Sequence, residues 1–164
     1  MLTCTFEDGG TALLRHAVVD CLVIKDDKIL LGKRAAKLVE GGKWNLMAGY
    51  MDRDETSEEA ARREVMEESG WEIENLHLLR IDDRPDRRND ERQNVAFTYV
   101  AEATRQTGEG DWENDELRWF ALDQLPPEEV IAFDHADIIE LYKAYLQRPF
   151  ALPVIGMGAP AKQS

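Results

Sequence analysis

Apolar residues in this chain fall into short blocks separated by charged turns. A nearly continuous apolar block at residues 15–25 predicts a buried strand, and the charged turn at residues 26–28 predicts a hairpin with residues 29–34. Apolar residues at helical spacing predict α-helices over residues 57–69 and 136–147. β-rich or alternating runs predict further strands at residues 44–51, 72–81, 93–103 and 116–122.

The order of these elements is strands, helix, strands and helix, which permits several α+β or α/β architectures. The chain has 164 residues and is 43 % apolar, enough for one ordinary domain with one well-buried core. We therefore predict a single domain over residues 1–148. Residues 149–164 carry three prolines and two glycines, and we predict a loose C-terminal tail there.

The composition narrows the class of partner. A formal net charge of −13 argues against nucleic acid and against an anionic membrane surface, because both need a basic footprint. The net charge does not exclude a small anionic substrate, because bound divalent cations can reverse the sign of the local charge. No apolar run reaches the about 18 residues that span a bilayer, and we expect no signal peptide. Because Cys4 and Cys21 have no metal-ligand spacing, we expect reduced thiols and a cytoplasmic location.

The most distinctive polar pattern is the acidic segment from Gly49 to Trp71. On a helix, Glu64, Glu67 and Glu68 lie at i, i+3 and i+4, so their carboxylates crowd onto one face. Like charges at that spacing repel each other. Carboxylate oxygens are hard ligands that suit Mg²⁺ or Mn²⁺, so the cluster predicts a divalent-cation site, with a solvated acidic helix as the alternative.

The same segment resembles the Nudix box, which reads Gly, five residues, Glu, seven residues, Arg-Glu, an aliphatic residue, any residue, Glu-Glu, any residue, Gly and an aliphatic residue. The positions that match are Gly49, Glu55, Arg63, Glu64, Val65, Glu67, Glu68 and Gly70. Trp71 is the one departure, and it is also apolar. The resemblance implies an α+β Nudix fold, a mixed β-sheet sandwiched between helices (α/β/α), in which Gly49, Glu55 and Gly70 have structural roles.

The resemblance also implies an activity. Nudix hydrolases (MutT-like) cleave a pyrophosphate bond in a nucleoside diphosphate linked to another moiety, with Mg²⁺ or Mn²⁺ as cofactor. By resemblance, Glu67 and Glu68 are metal ligands, and Glu64 is a further ligand or the general base. Arg63 and Glu55 resemble the orienting ion pair of the family, although Arg63 as an ordinary surface cation is the alternative.

A second acidic group at residues 111–116 precedes the last predicted strand. Nudix enzymes often take a further ligand or a general base from a loop at this place. Glu113 is therefore the first candidate and Glu116 the second. For both residues the alternative is a solvated acidic loop.

A cluster of arginines follows the strand predicted at residues 72–81. Arg84, Arg87, Arg88 and Arg92 suit a phosphate-binding role, because guanidinium forks match phosphate oxygens. The alternative is that they form ion pairs with the neighbouring acidic residues Asp82, Asp83, Asp86 and Asp90. Pro85 lies at about the distance beyond the box where ADP-ribose pyrophosphatases of the family carry a proline.

These patterns favour a Mg²⁺-dependent hydrolase of ADP-ribose or a nucleotide sugar, with a nucleotide-type small molecule as its partner. One alternative is a nucleoside triphosphate pyrophosphohydrolase that clears damaged nucleotides. Others are a non-catalytic nucleotide-sensing module and an isomerase variant of the fold. The intact glutamate set argues against a sensor, which has no need of a repulsive cluster. The sequence leaves a homodimer open.

Overall fold

A computed structural model of the protein describes residues 2–87 and 92–156. The two α-helices are α1 (Ser57–Ser69) and α2 (His135–Gln147), and a short 3₁₀ turn spans Glu128–Val130. The strands are β1 (Leu2–Thr5), β2 (Thr11–Leu14), β3 (Ala17–Lys25), β4 (Lys28–Arg34), β5 (Trp44–Asn45), β6 (Met47–Tyr50), β7 (Trp71–Asp82), β8 (Val95–Gln106), β9 (Asn114–Ala121) and β10 (Val154–Ile155).

Strand β3 is the centre of the main sheet. It pairs in parallel with β8 on one side and antiparallel with β4 and β6 on the other. Beyond β8 the sheet continues antiparallel into β7, and beyond β4 it continues antiparallel into β9 and β5. The β3–β4 hairpin turns at Asp26 and Asp27, whose φ angles of 49° and 59° match a turn that favours Asp and Gly. The sheet is therefore mixed, as predicted.

Each face of the sheet carries its own apolar core, because successive side chains of a strand point to opposite faces. Val19, Cys21 and Val23 of β3 join the core with Ala60, Ala61 and Val65 of α1. Leu22, between them in sequence, joins the other core with Ile138, Ile139 and Leu141 of α2. One helix thus covers each face, which confirms the predicted α/β/α arrangement.

Helix α1 has the bounds that the sequence predicted. Thr56 is the N-cap, and its hydroxyl accepts from the Glu59 amide while Glu59 reaches back to the Thr56 amide, a complete capping box. At the other end Gly70 adopts a left-handed conformation, with φ of 71°, and donates its N–H to Met66 O. Small Ala60 and Ala61 let the helix approach the sheet closely.

Both ends of the chain depart from expectation. Residues 2–14 form the hairpin β1–β2 as a separate two-stranded sheet, which the sequence pattern did not reveal. The loose tail predicted over residues 149–164 contains a short strand at residues 154–155, and residues 157–164 lie outside the described residues. Strand β10 pairs in parallel with β7 beside Arg80 and Ile81, because the outer edge of β7 is available there and Val154 packs on the α2 core. Neither α-helix in the described chain has the length and apolar character of a membrane span.

A buried charged network underlies the sheet near the start of α2. Arg80, fully buried in β7, lies with Nη2 2.7 Å from Asp134 Oδ2 and Nη1 3.6 Å from Asp82 Oδ2. Arg87 comes from the loop after β7, and its Nη2 lies 3.2 Å from Asp134 Oδ1. Asp134 therefore joins two buried arginines to the N-terminus of α2.

This network gives a stability prediction. Asp134→Ala leaves two buried guanidinium groups without their shared carboxylate, so we expect it to lower the free energy of unfolding by about 3–5 kcal/mol. Glu140→Ala, which removes the exposed partner of Lys143 on the same helix, is the matched control, with an expected loss below about 1 kcal/mol. Urea denaturation of the three proteins measures both values. Equal, small losses would contradict a role for the network in stability.

Candidate active site

A cleft of about 770 Å³ opens between the box segment and the start of α2. Its walls bring together residues that lie far apart in the sequence. They include Asp20 from β3, Arg34 from β4, Gly49 and Tyr50 from β6, and Glu64 from α1. Loop residues complete the wall, among them Arg87, Asn94, Glu113 and Phe133, with His135 at the start of α2.

Glu64 reaches this cleft by lying directly over Gly49. A Cβ atom built on Gly49 would come within 2.1 Å of the Glu64 carboxyl group. Any side chain at position 49 would therefore displace that carboxyl group. Because the group is partly buried, desolvation, joined by the charges of Glu67 and Glu113, raises the pKa of Glu64 against the opposing effect of Arg63.

Glu68, on the same helix face, is almost completely buried, with 2 % of its surface exposed. Its Oε2 accepts the backbone N–H of Ala48 at 3.1 Å. Burial, followed by the negative charges of Glu64, Glu113 and Asp111, raises the pKa of Glu68 well above its ordinary value. A nearby cation would favour the ionised form of a carboxyl group held in this way.

Arg63 organises the remaining box carboxylates. Its Nε and Nη2 donate to the two oxygens of Glu55 at 3.1 and 2.7 Å, a forked ion pair. Its Nη1 donates to Glu64 at 2.8 Å and to the more exposed Glu67 at 3.1 Å. Nη2 also donates to Tyr50 O at 2.9 Å, which ties the loop before α1 to the helix. The hydrogen bond to Glu55 is the largest effect that raises the pKa of Arg63 and lowers that of Glu55.

The two acidic candidates outside the box occupy different places. Glu113 lines the cleft, and its charge acts on both Glu64 and Glu68. Glu116 lies on β9, where Arg118 donates to its carboxylate, and it is not among the cleft-lining residues.

The arginines of the loop after β7 differ in their partners and in their positions relative to the cleft. Arg84 donates to both oxygens of Asp82, at 2.9 and 2.7 Å. Arg87 is buried beside Asp134 and lines the cleft. Arg88 lies outside the described residues. The ion pairs offered as an alternative therefore form at Arg84 and Arg87, but for Arg87 the partner is the distant Asp134.

The structure adds cleft residues that the sequence analysis did not single out. Arg34 lies with its guanidinium carbon 5.0 Å from the centre of the Phe133 ring. Desolvation lowers the pKa of Arg34, against the opposing charges of Glu68, Glu113 and Glu40. Its position in β4, just before a loop, carries no motif from which sequence reasoning could have identified it.

Asp20 and His135 form a buried pair at the cleft wall, and this pair also carries no sequence motif from which it could have been identified. The Nδ1 atom of His135 accepts the Leu46 backbone N–H at 3.0 Å, so the neutral ring carries its proton on Nε2. That nitrogen faces Asp20 Oδ1 at 3.5 Å, and Thr98 donates to Asp20 Oδ2 at 3.3 Å. Strand β3 and helix α2 bring Asp20 and His135 together across more than 100 intervening residues.

The donor chemistry of the box suits a divalent cation. Within residues 2–87 and 92–156, no three Asp, Glu, His or Cys side chains are placed closely enough to hold a metal ion, since Arg63 draws Glu64 and Glu67 toward itself. Even so, Glu64 and Glu68 are desolvated carboxyl groups with raised pKa values. A hard cation favours the ionised form of such groups, and all the donors are carboxylate oxygens, the ligands that Mg²⁺ and Mn²⁺ prefer.

Asp20 provides a pH-dependent part of the stability. Burial opposes its ionisation, but the hydrogen bond from His135 and the charges of Arg87 and Arg80 lower the pKa of Asp20 from 3.8 to about 2. A lowered pKa stabilises the fold above pH 3.8, and this contribution is lost as the pH falls through about 2. We expect the difference in unfolding free energy between wild type and Asp20→Asn to shrink by about 2 kcal/mol from about pH 5 to about pH 2. Urea titrations at each pH measure it, and a pH-independent difference would contradict an ionised, buried Asp20.

Comparison with known proteins places this site in a family. Residues 14–142 match the model of the NUDIX domain. The chain is 34 % identical over 125 residues to an ADP-ribose pyrophosphatase of Methanocaldococcus jannaschii, across 76 % of this chain and 70 % of that protein. It is 32 % identical over 125 residues to an oxidized purine nucleoside triphosphate hydrolase of Danio rerio, across 69 % of this chain and 70 % of that protein. A crystal structure of a NUDIX hydrolase from Nitrosomonas europaea superimposes with a TM-score of 0.70 at 27 % identity, covering 90 % of this chain and 80 % of that one. The segment Gly49–Trp71 is thus a Nudix box, and the chain belongs to the NUDIX domain family as a Nudix hydrolase.

Proposed function

We propose that this protein hydrolyses the pyrophosphate bond of ADP-ribose or a similar nucleotide sugar, with Mg²⁺ as its cofactor. The proposal is supported by a cleft that a box carboxylate and two arginines line together. Glu64 lines this cleft with the half-buried Arg34 and the buried Arg87, and Glu68 is next to Glu64 on the same helix face. A pyrophosphate has the negative charge that both cations and arginines recognise.

In this proposal Glu64, Glu67 and Glu68 hold the divalent ion. When bound, the ion neutralises phosphate oxygens, orients the attacking water and lowers the pKa of that water. Arg63, held by Glu55, pairs with both Glu64 and Glu67 and so restricts the positions of their carboxylates. The fork between Arg63 and Glu55 therefore acts by orienting the ligands rather than by touching the substrate.

Glu113 is our first choice for the general base. It lines the cleft together with Glu64, the cleft in which we place the pyrophosphate, and a general base must lie within reach of the attacking water. In this role it takes a proton from the attacking water. Glu116 is less well supported because Arg118 engages its carboxylate on β9. Glu64 remains the alternative base if its carboxylate does not bind the ion.

Arg34 and Arg87 are the cations that we assign to the substrate phosphates. Both lie in the cleft wall, Arg87 buried and Arg34 half-buried, and partial desolvation strengthens their interaction with an anion. Arg84 is a weaker candidate because Asp82 accepts both of its hydrogen bonds.

The second candidate function is a nucleoside triphosphate pyrophosphohydrolase. It is supported by the similarity to the Danio rerio protein, whose name gives oxidized purine nucleoside triphosphates as the substrate. A non-catalytic nucleotide sensor has less support, because the box retains every carboxylate. In each case we propose a nucleotide-type small molecule as the partner, rather than nucleic acid or a membrane, and a cytoplasmic site of action. A homodimer stays open under all of these functions.

A substrate screen separates these functions. Phosphate release should be measured with Mg²⁺ over ADP-ribose, nucleotide sugars, dinucleoside polyphosphates, and normal and oxidised nucleoside triphosphates. We expect the highest kcat/KM with ADP-ribose or a nucleotide sugar. A higher kcat/KM with oxidised triphosphates would favour the second function, and tight binding without turnover would favour the sensor.

The metal assignment predicts the behaviour of two amide variants. Glu67→Gln and Glu68→Gln each remove a ligand charge, so we expect kcat to fall at least about 100-fold. The fold should be as stable as wild type or more stable, since repulsion on the helix face is relieved. The rise in melting temperature on adding Mn²⁺ should shrink as well.

Glu58→Gln is the matched control for these variants. Glu58 is in the first turn of the same helix, where it pairs with Arg62. This variant should keep wild-type turnover and the wild-type Mn²⁺ response. Near-full activity of the Glu67 and Glu68 variants with Mg²⁺ would show that the metal assignment is wrong.

The phosphate assignment makes a separate prediction about the arginines. Loss of one charge-assisted hydrogen bond is worth about 1.5–3 kcal/mol, so Arg34→Gln or Arg87→Gln should lower kcat/KM about 10- to 100-fold. Arg84→Gln, in the same loop as Arg87, should lower it less than about threefold. Steady-state kinetics with the best substrate from the screen measures all three, and a larger effect at Arg84 would reverse the assignment.

A further inference from the structure

The loop at residues 107–113 is fastened to the C-terminal end of α1. Thr107 donates its N–H to Gly70 O at 2.8 Å, and Asp111 donates its N–H to Glu67 O at 2.9 Å. The carbonyl groups in the last turn of a helix have no partner within the helix. This loop therefore caps α1 at the turn that carries Glu67 and Glu68.

Two hydrogen bonds hold the backbone of Glu113, one from within this loop and one from the residue after β4. The Glu113 N–H donates to Asp111 Oδ1 at 2.9 Å. The Glu113 carbonyl accepts the N–H of Ala35 at 2.8 Å, next to the cleft residue Arg34. Glu113 is thus connected through two successive contacts to the backbone of α1, and through one contact to the end of β4.

Gly110 lies close against the C-terminal turn of α1. A Cβ atom at this position would come within 2.2 Å of Glu68 O and 3.3 Å of the Leu117 side chain. The obstacle at 2.2 Å is backbone, so any side chain here must push the loop and the helix apart. Gly108, two residues earlier, differs: its added Cβ would meet only Gly70 Cα, at 3.8 Å.

We propose that Gly110 and Asp111 are positioning residues that set the distance between the Glu113 carboxylate and the carboxylates of α1. Gly110 allows the loop to lie close against α1. Asp111 connects the helix to Glu113, because its N–H donates to Glu67 O and its side chain accepts the Glu113 N–H. This inference rests on the proposed function, in which Glu113 is the general base. A base displaced by about 1 Å loses about 100-fold in rate, whereas substrate contacts made elsewhere in the cleft are kept.

The first experiment compares Gly110→Ala with Gly108→Ala. We expect Gly110→Ala to lower kcat about 10- to 100-fold while KM changes less than about threefold, and Gly108→Ala to retain wild-type values. Amide hydrogen exchange of the metal-free proteins gives a readout independent of activity. The Asp111 amide should be protected in wild type and Gly108→Ala and should exchange faster in Gly110→Ala. Equal kcat values for the two alanine variants would overturn the proposal.

The second experiment tests the Asp111 side chain and does not depend on how well Gly110→Ala folds. Asp111→Asn and Asp111→Ala both remove the charge near Glu68, but only asparagine keeps an oxygen that accepts from the Glu113 amide. We therefore expect Asp111→Ala to lose at least about fivefold more kcat than Asp111→Asn. Equal losses in the two variants would show that Asp111 acts through its charge and would overturn this part of the proposal.

A double-mutant cycle with Glu113→Gln identifies the residue through which the loop acts. If Gly110 works by positioning Glu113, adding Gly110→Ala to Glu113→Gln costs little further kcat. Fully additive effects would overturn the proposal. Failure of the proposed function looks different: wild type would then turn over none of the screened nucleotides, while the exchange difference at the Asp111 amide would persist.

Discussion

The carboxylates on the last turns of α1 repel each other, and the neighbouring elements hold them together. Glu64, Glu67 and Glu68 share one face of α1, and the fold adds to the difficulty by burying Glu68 almost completely. Arg63 relieves part of the repulsion by donating to Glu64 and Glu67. No comparable cation of the described chain pairs with Glu68, and its burial, which disfavours the charged form, raises the pKa of this carboxyl group.

The surrounding elements keep this unfavourable cluster in place. The capping box at Thr56 and the left-handed Gly70 fix the two ends of α1. The N–H of Ala48 donates to Glu68, and Gly49, which has no side chain, leaves room for the Glu64 carboxyl group. Central strand β3 supports the helix from below through Val19, Cys21 and Val23. The packing of α1 on the sheet thus offsets the repulsion among the carboxylates of the helix.

The sequence predicted the parts of this arrangement that depend on local signals. The bounds of α1 followed from the helical spacing of apolar residues, and the hairpin at Asp26 and Asp27 followed from the charged turn at residues 26–28. The cleft beyond the box could not be predicted, because it is a product of long-range pairing. Asp20 meets His135, and Arg34 meets Phe133, only after β3, β4 and α2 have assembled.

The same limitation explains the two ends of the chain. Leu2–Thr5 and Thr11–Leu14 are short runs with exposed leucines, so neither has the alternation that identifies a half-buried strand. Val154–Ile155 is too short to carry a pattern, and it becomes a strand only because the edge of β7 is there to receive it.

The buried pairing of Arg87 with Asp134 has a consequence for how this protein diversifies. Residues of surface loops usually vary among homologues, but Arg87 shares its carboxylate partner Asp134 with Arg80 in the interior of the sheet. Replacing Arg87 alone would remove the guanidinium group that lies 3.2 Å from Asp134 Oδ1. Homologues that replace one of residues 80, 87 and 134 should therefore exchange the three positions as a set, and covariation among them would record such changes.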